Sequence, residues 1–73
     1  MDEVDVALNK KAPVSFTFRQ RDYAVEEIAE CWCETGRWWD SEEPAELYEV
    51  QTGTGRFLLI HPIDSTRWYG KRI

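Results

Sequence analysis

No stretch of this 73-residue chain is apolar for more than four residues, the longest being Phe57-Leu58-Leu59-Ile60. A helix needs about 18 or more such residues to cross a bilayer, so a transmembrane helix is excluded. The acidic start, Met1-Asp2-Glu3-Val4-Asp5, lacks the basic-then-apolar order of a signal peptide. There is no internal repeat and no low-complexity tract. No stretch has the form of a P-loop, a dinucleotide fingerprint, a metalloprotease helix or a nucleophile elbow. Only one histidine and two cysteines are present. Cys31 and Cys33 stand as C-x-C, a spacing too close for an unstrained bridge. His61 alone could join them as a metal ligand, short of the four a structural zinc site takes. The expectation is two reduced, partly buried thiols in a cytoplasmic protein, with no metal, no cofactor and no catalytic residues. A thiol–imidazole pair of Cys31 or Cys33 with His61 is conceivable, but a lone loop histidine is ordinarily only solvated.

What the chain does have is ring-bearing and apolar residues. It is 42% hydrophobic and contains four Trp, three Tyr and three Phe, enough for one small core despite 32% charged residues. A chain of this length buries only about 60% of its unfolded surface, so one marginally stable domain is the upper bound.

The net charge of −5 is unevenly spread. Residues 22–49 hold ten acids against one base, Arg37, whereas residues 50–73 hold Arg56, Arg67, Lys71 and Arg72 against Asp64 alone. An acidic chain is poorly suited to non-specific duplex binding, which relies on neutralising phosphates. One edge can still be basic while another is acidic.

Val14-Ser15-Phe16-Thr17-Phe18 alternates strictly and predicts a half-buried strand. Arg19-Gln20-Arg21-Asp22 is a polar turn, and Tyr23-Ala24-Val25 resumes the alternation, so the two runs predict a hairpin without a glycine to fix its turn. Residues 25–36 admit two readings. Val25, Ile28, Ala29 and Trp32 fit a helix stopped by Gly36. They also fit a strand whose phase slips at Glu26-Glu27, a bulge that leaves Tyr23, Val25, Ile28 and Trp32 on one side. Gly36-Arg37-Trp38-Trp39-Asp40-Ser41-Glu42-Glu43-Pro44 is a connection. Its adjacent indoles must point opposite ways if extended, so one of Trp38 and Trp39 faces outward.

Glu46 to Gln51 and Arg56 to Ile60 are strands around the turn Thr52-Gly53-Thr54-Gly55. His61-Pro62-Ile63-Asp64-Ser65 is expected to break the pairing. Thr66 to Ile73 is a last strand with Arg67, Tyr69 and Lys71 on one face. Residues 1–12, where Val4, Val6 and Leu8 alternate, are a flexible N-terminal segment or an edge strand; residues 13–73 are the domain. The whole predicts an all-β fold, a curled antiparallel meander or small, partly open barrel of about five strands, with α+β the alternative if 25–35 is helical.

Bases and rings interleave at Arg37-Trp38-Trp39, Arg56-Phe57 and Arg67-Trp68-Tyr69. Exposed rings stack bases and arginines follow phosphates, which is how single-strand binders work. The competing use of each ring is the core, with Trp32 and Trp68 or Tyr69 the first candidates. The same residue types anchor protein interfaces, and an acidic segment steers a basic partner. The candidate binding residues are Arg19, Arg21, Arg37, Trp38, Trp39, Arg56 and Arg67. The partner they imply is single-stranded nucleic acid or, alternatively, a protein.

The order F-x-F-R-x-R-x-Y-x-V-x-x-I-x-x-x-W (Phe16 to Trp32), then G-R-W-W (Gly36 to Trp39), E-L-Y-E-V (Glu46 to Val50) and W-Y (Trp68-Tyr69) resembles a family of small bacterial domains of unknown function. Some members of that family accompany Y-family, translesion-type DNA polymerase-like proteins. The resemblance spans about residues 14–72, and G-R-W-W is its most specific part. It implies an all-β domain and a setting in DNA repair or tolerance, with a repair polymerase among the partners, and it brings no catalytic residue. The chain departs from the family at Arg19-Gln20-Arg21, where Arg-Gly-Arg is expected. It departs again at its Gly70-Lys71-Arg72-Ile73 close, in place of an Arg-x-Tyr-Asp-like ending.

Overall fold

A computed structural model of the protein describes residues 2–10, 12–34, 44–63 and 65–73. These form seven strands: β1 (Asp2–Asn9), β2 (Ala12–Phe18), β3 (Arg21–Ala24), β4 (Glu27–Glu34), β5 (Ala45–Thr52), β6 (Gly55–Pro62) and β7 (Trp68–Arg72). All pairings are antiparallel, in the order β3-β2-β1-β7-β6-β5-β4. No helix occurs among the described residues, so the helical reading of residues 25–36 does not hold. The all-β expectation does, with seven strands in place of about five.

The sheet curls into a half-barrel because two strands bend and serve both halves. β1 pairs with β7 through Asp2–Val4 and with β2 through Asp5–Asn9. Residues 2–9 are therefore an interior strand, neither a tail nor an edge. The second corner is at Val25-Glu26, between β3 and β4. There the Val25 N–H donates to Val14 of β2 at 2.9 Å, and the Glu26 N–H donates to Gln51 of β5 at 2.8 Å. Successive amides thus turn to opposite neighbours, and β3–β4 becomes one bent ribbon shared by both halves.

The phase slip read at Glu26-Glu27 is this corner. A second irregularity lies between Ile28 and Glu30. It moves one residue out of register, and a one-residue shift exchanges the faces of everything beyond it. Tyr23, Val25 and Ile28 accordingly pack on the inner core, whereas Trp32 packs with Leu47 and Ile60 on the outer face.

β6 feeds both faces. Phe57 and Leu59 enter the inner core with Val4, Phe16, Phe18, Val50 and Trp68; Ile60 joins Ala45 and Leu47 in the outer cluster, against which Leu58 packs. The inner core is ring-rich. Phe57 meets Phe16, Phe18 and Tyr23 at centroid separations of 5.1, 5.3 and 4.8 Å. Each such ring contributes roughly 1.5–3 kcal/mol by leaving water. Gly70 faces this core, and a Cβ added there would lie 3.2 Å from Val4 Cγ1 and 3.3 Å from Leu59 Cδ2, tight enough to force a shift.

The β2–β3 hairpin has a two-residue loop, since Phe18 pairs with Arg21. Arg19 and Gln20 both take positive φ, 50° and 68°, the arrangement of a type I′ turn, which matches strand twist but favours Asn and Gly. Gln20→Gly is expected to stabilise the fold by about 1 kcal/mol, by relieving the left-handed strain, raising the melting temperature about 4–8 °C. Calorimetry of the two proteins checks it.

Candidate functional site

Antiparallel order brings four chain ends together at one end of the half-barrel: the β2–β3 turn, the β5–β6 turn, the start of β1 and the end of β7. A cleft of about 340 Å³ opens there, lined by Asp2, Phe18, Arg19, Gly70, Lys71 and Arg72. Arg19, Lys71 and Arg72 thus border one concavity in a chain that is acidic overall, Lys71 from the outer face of β7, where it pairs with Leu58.

The three are held differently. Arg19 sits on the strained turn, and its Nε donates to Asp2 Oδ2 at 2.7 Å; both side chains are largely in water, at 74% and 41% exposure. Exposed pairs of this kind contribute at most about 1 kcal/mol, so an incoming anion can replace Asp2. Arg72 is fixed by packing. Its guanidinium lies 4.7 Å from the Phe57 centroid and donates to Thr54 O and Tyr23 Oη, both at 3.4 Å. Lys71 is exposed on the last strand.

Of the bases singled out in the sequence, Arg19 lies in the cleft. Arg21 is exposed on β3, across the strand pair from Phe18. Arg56 points to the outer face, where it donates to Gln51 Oε1 at 3.0 Å and Glu49 Oε2 at 3.4 Å. Arg67 is 3.9 Å from Glu3 and belongs to the far side of β7. Arg37, Trp38 and Trp39 lie outside the described residues. The strand ends that flank them, Glu34 and Ala45, pair with each other at the opposite end of the half-barrel from the cleft.

The rings beside the other bases are core. Phe57 is fully buried and Trp68 is 6% exposed, so Arg56-Phe57 and Arg67-Trp68 are not stacking platforms. Phe18, in the cleft wall, is also 6% exposed. The cleft therefore offers charge to a ligand without an open ring face. Sequence reasoning missed Lys71 and Arg72 as site residues. The signal was the basic G-K-R close following W-Y, which gains meaning only when the last strand is seen beside the first.

Cys31 and Cys33 share a face, as the spacing implied, but both are free and exposed, not partly buried. With Trp32, Glu46 and Tyr48 they line a second cleft of about 330 Å³. His61 is stacked on Trp68 at 4.4 Å, with Nε2 2.7 Å from Ser65 O. Among the described residues no cluster of three or more His, Cys, Asp or Glu is placed to hold a metal ion.

In the second cleft the Tyr48 hydroxyl donates to Glu46 Oε2 at 2.9 Å. Burial, then the hydrogen bond and negative charge of Glu46, push the phenol up from 10.0 to about 12. The folded state thus favours the protonated phenol. That contribution to stability is fully present below pH 10.0 and is lost as pH rises through about 12. Difference absorbance during alkaline titration is expected to show Tyr48 ionising near the upper value. Glu46→Gln should bring it down by removing the carboxylate charge.

No described helix is long and apolar enough to cross a membrane. A family model described as a domain of unknown function, DUF6504, matches residues 2–71, and the chain belongs to that family. No curated protein and no solved structure matches the chain.

Proposed function

We propose that this DUF6504 domain is a non-enzymatic, cytoplasmic accessory module that holds the phosphate backbone of single-stranded or distorted nucleic acid. The setting is the repair or damage tolerance to which the resemblance to polymerase-associated proteins points. The single supporting observation is that Arg19, Lys71 and Arg72 all border one cleft of about 340 Å³. Phosphate oxygens are what several such cations suit, with arginine able to bond them in bidentate fashion. Arg21, next to the turn, extends the cationic surface. Base stacking falls to Trp38 or Trp39, next to Arg37 in the sequence. Arg56 and Arg67, which do not line the cleft, contribute least.

The test is a titration of isotope-labelled protein with a short oligo-thymidylate at low salt. Amide shifts are expected at Asp2, Arg19, Gly70, Lys71 and Arg72. The double variant Arg19→Ala/Lys71→Ala is expected to bind at least ten times more weakly while keeping its fold, since both side chains are exposed. Undiminished binding by that variant overturns the proposal. The rival use is as an adaptor for a protein such as a repair polymerase, with an exposed Trp as anchor and the acidic segment steering docking. It predicts no oligonucleotide binding at the cleft.

A further inference from the structure

β4 has β5 on one side and, among the described residues, no backbone partner on the other. Along Glu27–Glu34 the amide and carbonyl groups directed away from β5 therefore have no backbone partner among the described residues. Such an edge is a template for another strand, and proteins protect it with charge. Here the charge has one sign. Glu27, Glu30 and Glu34 are exposed. The cross-strand pair of Glu30 is itself a glutamate, Glu49.

The faces of this edge differ in chemistry. Glu30, Trp32 and Glu34 lie on the outer side, opposite Glu49, Leu47 and Ala45. The Trp32 indole donates to Glu34 Oε1 at 3.1 Å, which holds that carboxylate in place. Cys31 and Cys33 lie on the inner side, opposite Tyr48 and Glu46, and line the 330 Å³ cleft. A strand laid against β4 would alternate likewise. Its outer side chains would meet carboxylates and its inner ones the thiol- and phenol-lined cleft.

We infer that the free edge of β4 binds an extended cationic peptide by strand addition, taking Lys or Arg at alternate positions and small apolar side chains between them. Charge decides the occupant. A second copy of this chain would set glutamates against glutamates, and like charges directly opposite are destabilising. A cationic strand gains opposite-charge pairs at the same positions. Backbone bonds supply affinity and the alternate side chains supply selectivity. This edge is separate from the phosphate-binding cleft and attracts the opposite charge, so either activity can fail without the other.

The probe is an acetylated, amidated octapeptide alternating Lys and Val, titrated into the isotope-labelled full chain. Amide shifts concentrated at 27–34, with slowed hydrogen exchange there, are expected. The same peptide N-methylated at alternate amides keeps its charge but loses its hydrogen bonds, and should bind at least tenfold more weakly. Glu30→Lys/Glu34→Lys should weaken the unmodified peptide by a similar factor; if that variant does not fold, the N-methyl comparison decides. Absence of binding, shifts centred elsewhere, or equal affinity of the N-methylated peptide each overturn the inference.

Discussion

Replacing Phe57 with alanine leaves at best a marginally folded domain, with an expected loss of about 3–5 kcal/mol. Phe57 is fully buried where the two halves of the curled sheet face each other. Rings from β2 (Phe16, Phe18) and β3 (Tyr23) meet it from across the core, and the Arg72 guanidinium covers its face. Truncation removes its own burial, the aromatic pairing of about 0.5–1.5 kcal/mol per contact, and the support under Arg72. Domains have only about 5–15 kcal/mol to lose, and a chain this short lies toward the low end. Near-ultraviolet circular dichroism and urea unfolding are expected to show collapse of tertiary signal. Phe57→Leu, which retains most of the volume, should still unfold cooperatively. A loss under about 1 kcal/mol for Phe57→Ala would mean that the two halves do not depend on this contact.

Trp68→Ala is expected to cost a similar amount, about 3–5 kcal/mol, by a different route. Trp68 opens β7 and pairs with Val4, the last residue of β1 to pair with β7. Its indole is stacked on His61 at an interplanar angle of 8° and lies 5.6 Å from the Tyr48 ring. Removing it empties the inner face where β1, β7, β6 and β5 converge. The melting temperature should fall by more than about 10 °C. Hydrogen exchange should also accelerate more at Asp2–Val4 than along β5. Uniform acceleration across both would contradict the placing of Trp68 at the β1–β7 seam.

The contrast between legible and illegible parts follows the range of the interactions. β2, with its strict alternation, and the β5–β6 hairpin, with Thr-Gly-Thr-Gly between two apolar runs, are local patterns and could be read directly. In that hairpin the Thr52 hydroxyl, 2% exposed, bonds Gly55 O at 2.8 Å, so the turn chemistry is local as well. The bend in β3–β4 showed as a slip in phase at Glu26-Glu27. The second slip beside Ala29 leaves no mark, because Ala29 suits either face, and the side taken by Trp32 was lost with it. β1 was harder still. Val4, Val6 and Leu8 alternate whether they form an edge or an interior strand, and the deciding pairing is with Trp68 to Gly70 at the far end of the chain. The candidate cleft shares this dependence. Arg19 and Arg21 stand out beside a turn, but Lys71 and Arg72 become neighbours of Arg19 only once the first and last strands pair. Interleaving of bases with rings was a weaker guide. In a strand, neighbours point to opposite faces, so a base beside a ring is what a core residue next to a surface residue gives.

Salt dependence of oligonucleotide binding is the most direct test of the phosphate-binding account. With Arg19, Lys71 and Arg72 each meeting a phosphate, the logarithm of the association constant should fall against the logarithm of salt concentration with a slope of about −2 for a single strand. Arg19→Ala/Lys71→Ala should reduce that slope to roughly −0.7. Binding that is indifferent to salt, or a slope unchanged in the double variant, would contradict the assignment of the cleft to phosphate.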